Sequence, residues 1–369
     1  MASAPVPRIP VLDRIGGALI ERAPGLLRRI GDLETRILAD RIAERRIEQP
    51  VYICGLARAG STLLLESLAQ AEVFTTHRYA DFPLLWTPYW WNWLRARLPL
   101  PAPATVERAH QDRIAVTRNS PEALEEVLWM HFFPGRHDAD IAQPLPAGCD
   151  DRGFASFYMA HIRKLLAVRG ARRYLAKGNY NLSRIGYLLQ LFPDARFVIT
   201  VREPTAQVAS LVKQDRLFTA WSQRNPAIGR QLARSGHFEF GPHKRAENFG
   251  DPSEATTIQA CFDSGRTVEG YARQWAAAYG WLADNLGRDI PSSACILVDY
   301  GRLCSAPAAT LTVIYEHIGV AKADVKDLLR TQAARIAVPD YYAPEFTASE
   351  CENILEITNR VWQSLREKG

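Results

Sequence analysis

PVYICGLARAGSTLL, residues 50–64, decides how the rest of the chain is read. An apolar, β-branched run, Val51–Cys54, leads through a glycine-bounded loop into a leucine-rich helix start. Gly55 and Gly60 stand five apart and are followed by Ser61 and Thr62, the frame of a phosphate-binding loop with one change. The residue after the second glycine, ordinarily Lys, is Ser61, and the nearest basic residue, Arg58, lies inside the loop. Glycines let backbone N–H groups curl inward, and a helix N-terminus adds partial positive charge, so such a loop holds a phosphate. Moving the cation out of the helix start argues against a β,γ-phosphate held with magnesium. The plain alternative is a tight strand-to-helix turn without a ligand.

A second segment lies about 140 residues on. ARFVITVREPTAQVAS, residues 195–210, reads as a buried strand, Ala195–Val201, followed by a helix that opens at Glu203-Pro204. Arg202 ends the strand and Ser210 sits eight residues later on the helix, so the two can grip one phosphate together. Ligands of open α/β sheets bind at that end of the strands. A strand-end ion pair beside a solvated Ser is the competing reading.

These two segments resemble the nucleotide-binding signatures of sulfotransferases that use 3′-phosphoadenosine 5′-phosphosulfate (PAPS). GLARAGSTLL is similar to the loop that holds the 5′-phosphosulfate, and ARFVITVREPTAQVAS to the segment that holds the 3′-phosphate through Arg and Ser. The flavour is closest to the bacterial and tyrosylprotein-type branches, and the resemblance runs from about Pro50 to about Gly319. Between the two, YLAKGNY (174–180) supplies Lys177 where the family carries a Lys. Asn179 stands where many members carry a catalytic His, which leaves the general base open. After them, ILVDYGRLCSAPAATLTVIYEHIGV (296–320) matches a later family segment at Tyr300, with Gly301 in place of an acidic residue.

The resemblance implies PAPS as co-substrate, no metal, and a site built from Arg58, Ala59, Gly60, Ser61, Thr62, Arg202, Ser210 and Tyr300 around the nucleotide. Arg58 and Lys177 are the expected charge-stabilising groups for in-line transfer of a sulfuryl group, by analogy with phosphoryl transfer. For the base, TTHRYADFPLLW (75–86) offers His77, whose ring titrates near neutrality, with Asp81 to orient it or to act itself. The acceptor is a hydroxyl or amine on a small molecule, carbohydrate or lipid. A nucleotide-dependent kinase is disfavoured by Ser61. A non-catalytic nucleotide-binding module stays open because of Asn179.

Composition sets outer bounds. A chain of 369 residues can bury a large core, and 47% hydrophobic with 23% charged residues is ordinary for a soluble enzyme. A net charge of +5 gives nucleic-acid binding little support. The six cysteines (54, 149, 261, 295, 304, 351) are scattered without a C-x-x-C pair, which fits reduced thiols in a cytoplasm. No apolar run has membrane-spanning length and no leader pattern is seen.

The expected fold is α/β: a three-layer sandwich of phosphate-loop type, with a central parallel sheet and helices on both faces. Residues 1–48 read as an N-terminal helical extension after a proline-rich lead, broken at Pro24-Gly25. Residues 49–369 read as the catalytic domain. Helices are expected over 105–132, 155–169, 268–286 and 348–368. The irregular stretch 215–265 reads as an acceptor-side insertion or lid. FPLLWTPYWWNWLRARL (82–98) concentrates four Trp. It suits pocket lining, core packing or, with the N-terminal helices, peripheral contact with a membrane.

Overall fold

The computed structural model describes residues 6–7, 9–99, 104–112, 114–337 and 345–368. Residues 1–5 and 8 of the proline-rich lead lie outside the described residues. Among the described residues the strands are β1 (Val51–Cys54), β2 (Phe74–Thr75), β3 (Val106–Glu107), β4 (Ala115–Val116), β5 (Arg173–Lys177), β6 (Arg196–Val201) and β7 (Cys295–Asp299). β3 and β4 pair as a separate antiparallel ribbon. The other five form a parallel sheet in the order β2-β5-β1-β6-β7.

Each central strand sends alternate side chains to opposite faces. Tyr52, Cys54, Tyr174, Ala176, Phe197 and Ile199 enter one core, with Phe154 and Tyr158 from the helix Arg152–Arg169 and Trp275 and Tyr279 from the helix Thr267–Asn285. Val51, Ile53, Leu175 and Val198 enter the other, with Leu64, Leu65 and Leu68 from the helix Ser61–Leu68 and Leu311 and Ile314 from the helix Pro307–His317. Two covered faces explain why these strands are apolar throughout rather than alternating. The expected three-layer α/β architecture is the one observed.

The N-terminal region forms the helices Val11–Arg22, Pro24–Ile37 and Ala39–Ala43, divided at Pro24. It packs on the segment 82–86 through small residues. A Cβ at Gly16 would lie 2.0 Å from Pro83 Cγ, and one at Gly31 would lie 2.6 Å from the Trp86 carbonyl oxygen. Glu34 and Lys164 form a 3.0 Å ion pair with both side chains fully buried, and Glu34 also accepts the Trp90 N–H at 2.6 Å. Leu12, Ile15, Leu26 and Ile37 stay exposed on the outer side.

Two stretches differ from the expectations above. Residues 105–132 are helical only over Glu126–Phe132. The preceding part carries the β3–β4 ribbon and loops, because Val106, Ile114, Val116 and Leu124 face a cavity instead of one side of a helix. The 215–265 stretch is mostly helical: Pro204–Arg224 runs into it, Pro226–Arg234 and Pro252–Asp263 lie inside it, and its long irregular run is residues 235–251. Prolines at the first helical position start all three, including the two helices that lie wholly inside the stretch expected to be irregular.

Candidate active site

Register brings the site together. In the parallel sheet Ile53 is opposite Lys177 and Cys54 is opposite Ile199, while Val201 pairs with Asp299. The carboxyl ends of β5, β1, β6 and β7 therefore present Lys177, the 55–60 loop, Arg202 and Tyr300 side by side. That edge is where ligands of such sheets bind.

The loop is shaped by close approach. Gly55 has φ +130° and a Cβ there would lie 2.5 Å from the Thr200 carbonyl oxygen, so β6 excludes a side chain. Gly60 has φ +92° and caps the helix Ser61–Leu68; its Cβ would lie 2.3 Å from the Tyr300 ring. Gln207 Nε2 donates to the Ala57 carbonyl at 3.0 Å, and the Leu56 N–H donates to Tyr279 OH at 3.3 Å, which fixes the loop from two helices. Arg58 has a left-handed φ of +72°. Its Nε donates to Ser210 Oγ at 3.1 Å and its Nη1 to Asp112 Oδ2 at 3.1 Å. Arg202 donates through Nη1 to the Arg58 carbonyl at 3.2 Å and lies over the Tyr300 ring, 5.0 Å from its centroid. Glu203 caps the helix that carries Ser210 by accepting from Thr205 and Ala206. Arg58, Arg202, Ser210 and Tyr300 are thus one cluster. The Arg58 guanidinium is held on the Ser210 side of it.

A cavity of about 750 Å³ opens on this edge. Arg58, Gly60, Ser61, Thr62, Lys177, Arg202 and Tyr300 line it; Ala59 is fully buried behind the loop. Lys177 has no hydrogen-bond or ion-pair partner among the described residues. Burial pushes its ammonium down, Glu122 and Glu239 oppose this, and Arg108 and Arg58 add to the lowering. Phe82, Val116, Leu124, Phe218, Ile228 and Phe240 make part of the remaining wall apolar, with Pro7 and Ile9 from the N-terminal segment.

His77 is not part of that lining. Its ring is 1% exposed, Nδ1 lies 3.3 Å from Asp81 Oδ2, and Nε2 lies 3.0 Å from His161 Nε2. Asp81 in turn is held by Arg169 at 2.7 Å and by the Arg78 N–H at 2.9 Å. Burial works against its charge, but His77 and Arg169 hold Asp81 well below the usual carboxylate range. The pair is buried just past the carboxyl end of β2, outside the lining of the cavity. Local spacing proposed it; long-range packing puts it elsewhere.

Several cavity groups had no signal in the sequence. Arg108 donates to Asp112 at 2.7–3.0 Å and to Thr62 Oγ1 at 3.3 Å, which brings a cation to the helix start where Ser61 replaces Lys. Burial opposes the charge of Asp112, yet Arg108 and Arg58 hold its carboxyl well down. Glu122 and His237 line the same space from loops without periodicity, beside Asn179 at the start of the 3₁₀ turn Asn179–Arg184.

A protein-family model described as the sulfotransferase family matches residues 50–239. Among solved structures the chain is similar to sulfotransferase STF9 from Mycobacterium avium, at 15% identity and a TM-score of 0.54, covering 90% of this chain and 81% of that one. Sulfotransferase STF1 from Mycobacterium tuberculosis H37Rv aligns at 14% identity over 93% and 83% of the two chains, with a TM-score of 0.45. No curated protein matches the sequence. With a family match across more than half its length, on the segments whose ends meet at one cavity, the chain belongs to the sulfotransferase family.

Proposed function

We propose that the protein transfers a sulfuryl group from PAPS to a hydroxyl (or amine) of a small acceptor. The observation that carries this reading is the 3.1 Å bond between Arg58 and Ser210 together with the 3.2 Å bond from Arg202 to the Arg58 carbonyl. They join the two signature segments at the cavity that also holds Lys177. Arg202 and Ser210, with Arg58 beside them, would take the 3′-phosphate. The N–H groups of Gly60, Ser61 and Thr62, at a helix N-terminus with Arg108 adjacent, would take the 5′-phosphosulfate. Lys177 would neutralise charge growing on the bridging oxygen as the S–O bond breaks. Tyr300 would press on the loop and fix Arg202.

The apolar wall favours an acceptor with a hydrophobic body and one reactive polar group. Leu12, Ile15 and Ile37 of the N-terminal helices and Trp93 of the tryptophan-rich segment are exposed, which supports peripheral contact with a membrane; flotation with liposomes tests it. Among the described residues no helix is long and apolar enough to cross a membrane.

Calorimetry with PAP (the desulfated 3′,5′-bisphosphate), ADP and ATP without magnesium tests the donor. PAP binding tighter than ADP by a factor of ten or more, on the order of 1.4 kcal/mol, is expected. Equal affinity for the three would remove the 3′-phosphate site from the reading. Transfer of radiolabelled sulfate from PAPS into a cell extract separates an enzyme from a binding module.

A further inference from the structure

The proton-accepting group was left open by Asn179, and His77 is not among the residues that line the cavity. Among the described residues, five carboxylate or imidazole groups line the cavity and have the chemistry to take a proton. Asp112 is ion-paired to Arg58 and Arg108. Glu107 is exposed on the β3–β4 ribbon. His110 is tied through Nδ1 to Gln214 Oε1 at 2.9 Å; burial, then Arg108 and Arg58, push its ring well below the usual range, so it is a weak base. Glu122 accepts its neighbour's N–H, from Ala123 at 2.8 Å, and hydrogen-bonds Tyr79. His237 remains, and it is the one with a carboxylate behind its ring.

Its surroundings are built and rigid. The His237 N–H donates to the Leu232 carbonyl at 2.9 Å and the Phe238 N–H to Tyr180 OH at 3.1 Å. Tyr271 OH donates to the Glu239 carbonyl at 2.9 Å. The Glu239 side chain is buried: Oε1 accepts the Asn179 amide, while Oε2 has no hydrogen bond and lies 3.4 Å from His237 Nδ1. The neighbouring carboxylate, Glu126, is bound to Arg184 at 2.7 Å and is not available to His237. Nε2 of His237 has no partner among the described residues, and the ring lines the cavity beside Lys177 and Asn179.

We infer that His237 is the general base of the transfer, with Glu239 and Asn179 as its positioning residues; the inference rests on the sulfuryl-transfer reading above. Asn179 cannot take a proton. It fixes a carboxylate that keeps the His237 proton on Nδ1 and leaves Nε2 to accept. In the step, the acceptor O–H proton moves to Nε2 as the acceptor oxygen bonds to sulfur and the S–O bond to the phosphate breaks. PAP leaves, and the imidazolium returns its proton to solvent. Burial resists protonation of this ring, but Glu239 and Glu122 outweigh burial and Lys177 and raise its affinity for a proton. The rate therefore falls on the acid side, below a point set above the ordinary histidine value.

The test uses two phenols as acceptor probes. 2-Naphthol keeps its proton at about pH 8, whereas 4-nitrophenol has largely lost it and needs no base. His237→Gln should lose on the order of a hundredfold in kcat with 2-naphthol and only a few-fold with 4-nitrophenol, with PAP affinity unchanged. Glu239→Gln should move the acid limb to lower pH. In the histidine ¹⁵N spectrum, the neutral His237 ring should carry its proton on Nδ1.

Retained 2-naphthol turnover, an equal loss on both phenols, or an Nε2-protonated ring overturns the inference. The selective pattern appearing in Glu122→Gln instead does the same. If the protein binds PAP but sulfates neither phenol, the spectrum alone decides. Failure to bind PAP refutes the donor reading itself and is seen separately, by calorimetry.

Discussion

Gly60→Ala isolates the contact on which the nucleotide edge depends. At φ +92° an L-residue carries backbone strain of about 1–2 kcal/mol. The new Cβ would also sit 2.3 Å from Tyr300 Cδ2, so the ring must retreat by about 1 Å to reach ordinary contact. Tyr300 lies under Arg202, and losing that cation–π contact costs about 0.5–1 kcal/mol, before counting the misplaced guanidinium and loop N–H groups. PAP affinity should therefore fall by roughly ten- to a hundredfold, at about 1.4 kcal/mol per decade. Gly148→Ala is the matched control, because its φ is +100° and nothing lies within 4 Å of its Cβ. Both variants should lose the backbone-strain share of stability in urea, Gly60→Ala somewhat more, but only Gly60→Ala should lose PAP by calorimetry. Equal PAP affinity in the two variants would refute the idea that Tyr300 and the loop form one ligand-bearing unit.

Three further outcomes are expected. Arg202→Met should weaken PAP by tenfold or more while leaving adenosine 5′-phosphosulfate, which lacks the 3′-phosphate, nearly unchanged; parallel losses for both would mean that Arg202 is structural. Lys164→Met leaves Glu34 buried without its partner and should cost about 3–5 kcal/mol in urea unfolding, whereas the double change with Glu34→Gln should recover part of it. Burial, then the charge of Glu239, pushes Glu247 up to about 8 from 4.5, so the folded state keeps a proton that the unfolded chain releases. That contribution is full below about pH 4.5 and shrinks as pH rises towards 8, at no more than about 1.4 kcal/mol per pH unit. Urea midpoints of Glu247→Gln should be flatter across that window than those of the parent protein.

What the sequence made legible is what backbone chemistry writes locally. Gly55, Gly60 and Pro204 each have one conformational use, and the unbroken apolar runs of β1 and β6 mark strands buried on both faces, so the loop, the Arg202 strand end and the Ser210 helix could be placed from spacing alone. Parallel register then carried Lys177 and Tyr300 to the same edge. The opposite wall was not legible. Val106, Ile114 and Val116 are apolar at spacings that mimic a helix face, yet they line a cavity from a ribbon and its flanking loops. His77 and Asp81 follow the loop helix in sequence, but His161 on His77 and Arg169 on Asp81, both from a helix far along the chain, hold them outside the cavity lining. Arg108 reaches Thr62, and His237 shares the cavity with Lys177, across separations in sequence that no local pattern encodes.

The segment before the first helix bears on how the protein is handled. Pro7 and Ile9 form part of the wall against which an acceptor would rest, and the helices behind them are anchored through Glu34 and Lys164. A shortened version starting at Glu48, cut where the strand-bearing portion begins, would remove that wall and strand an ammonium in the interior. Screening such a trimmed protein for acceptors would report on a differently shaped chamber.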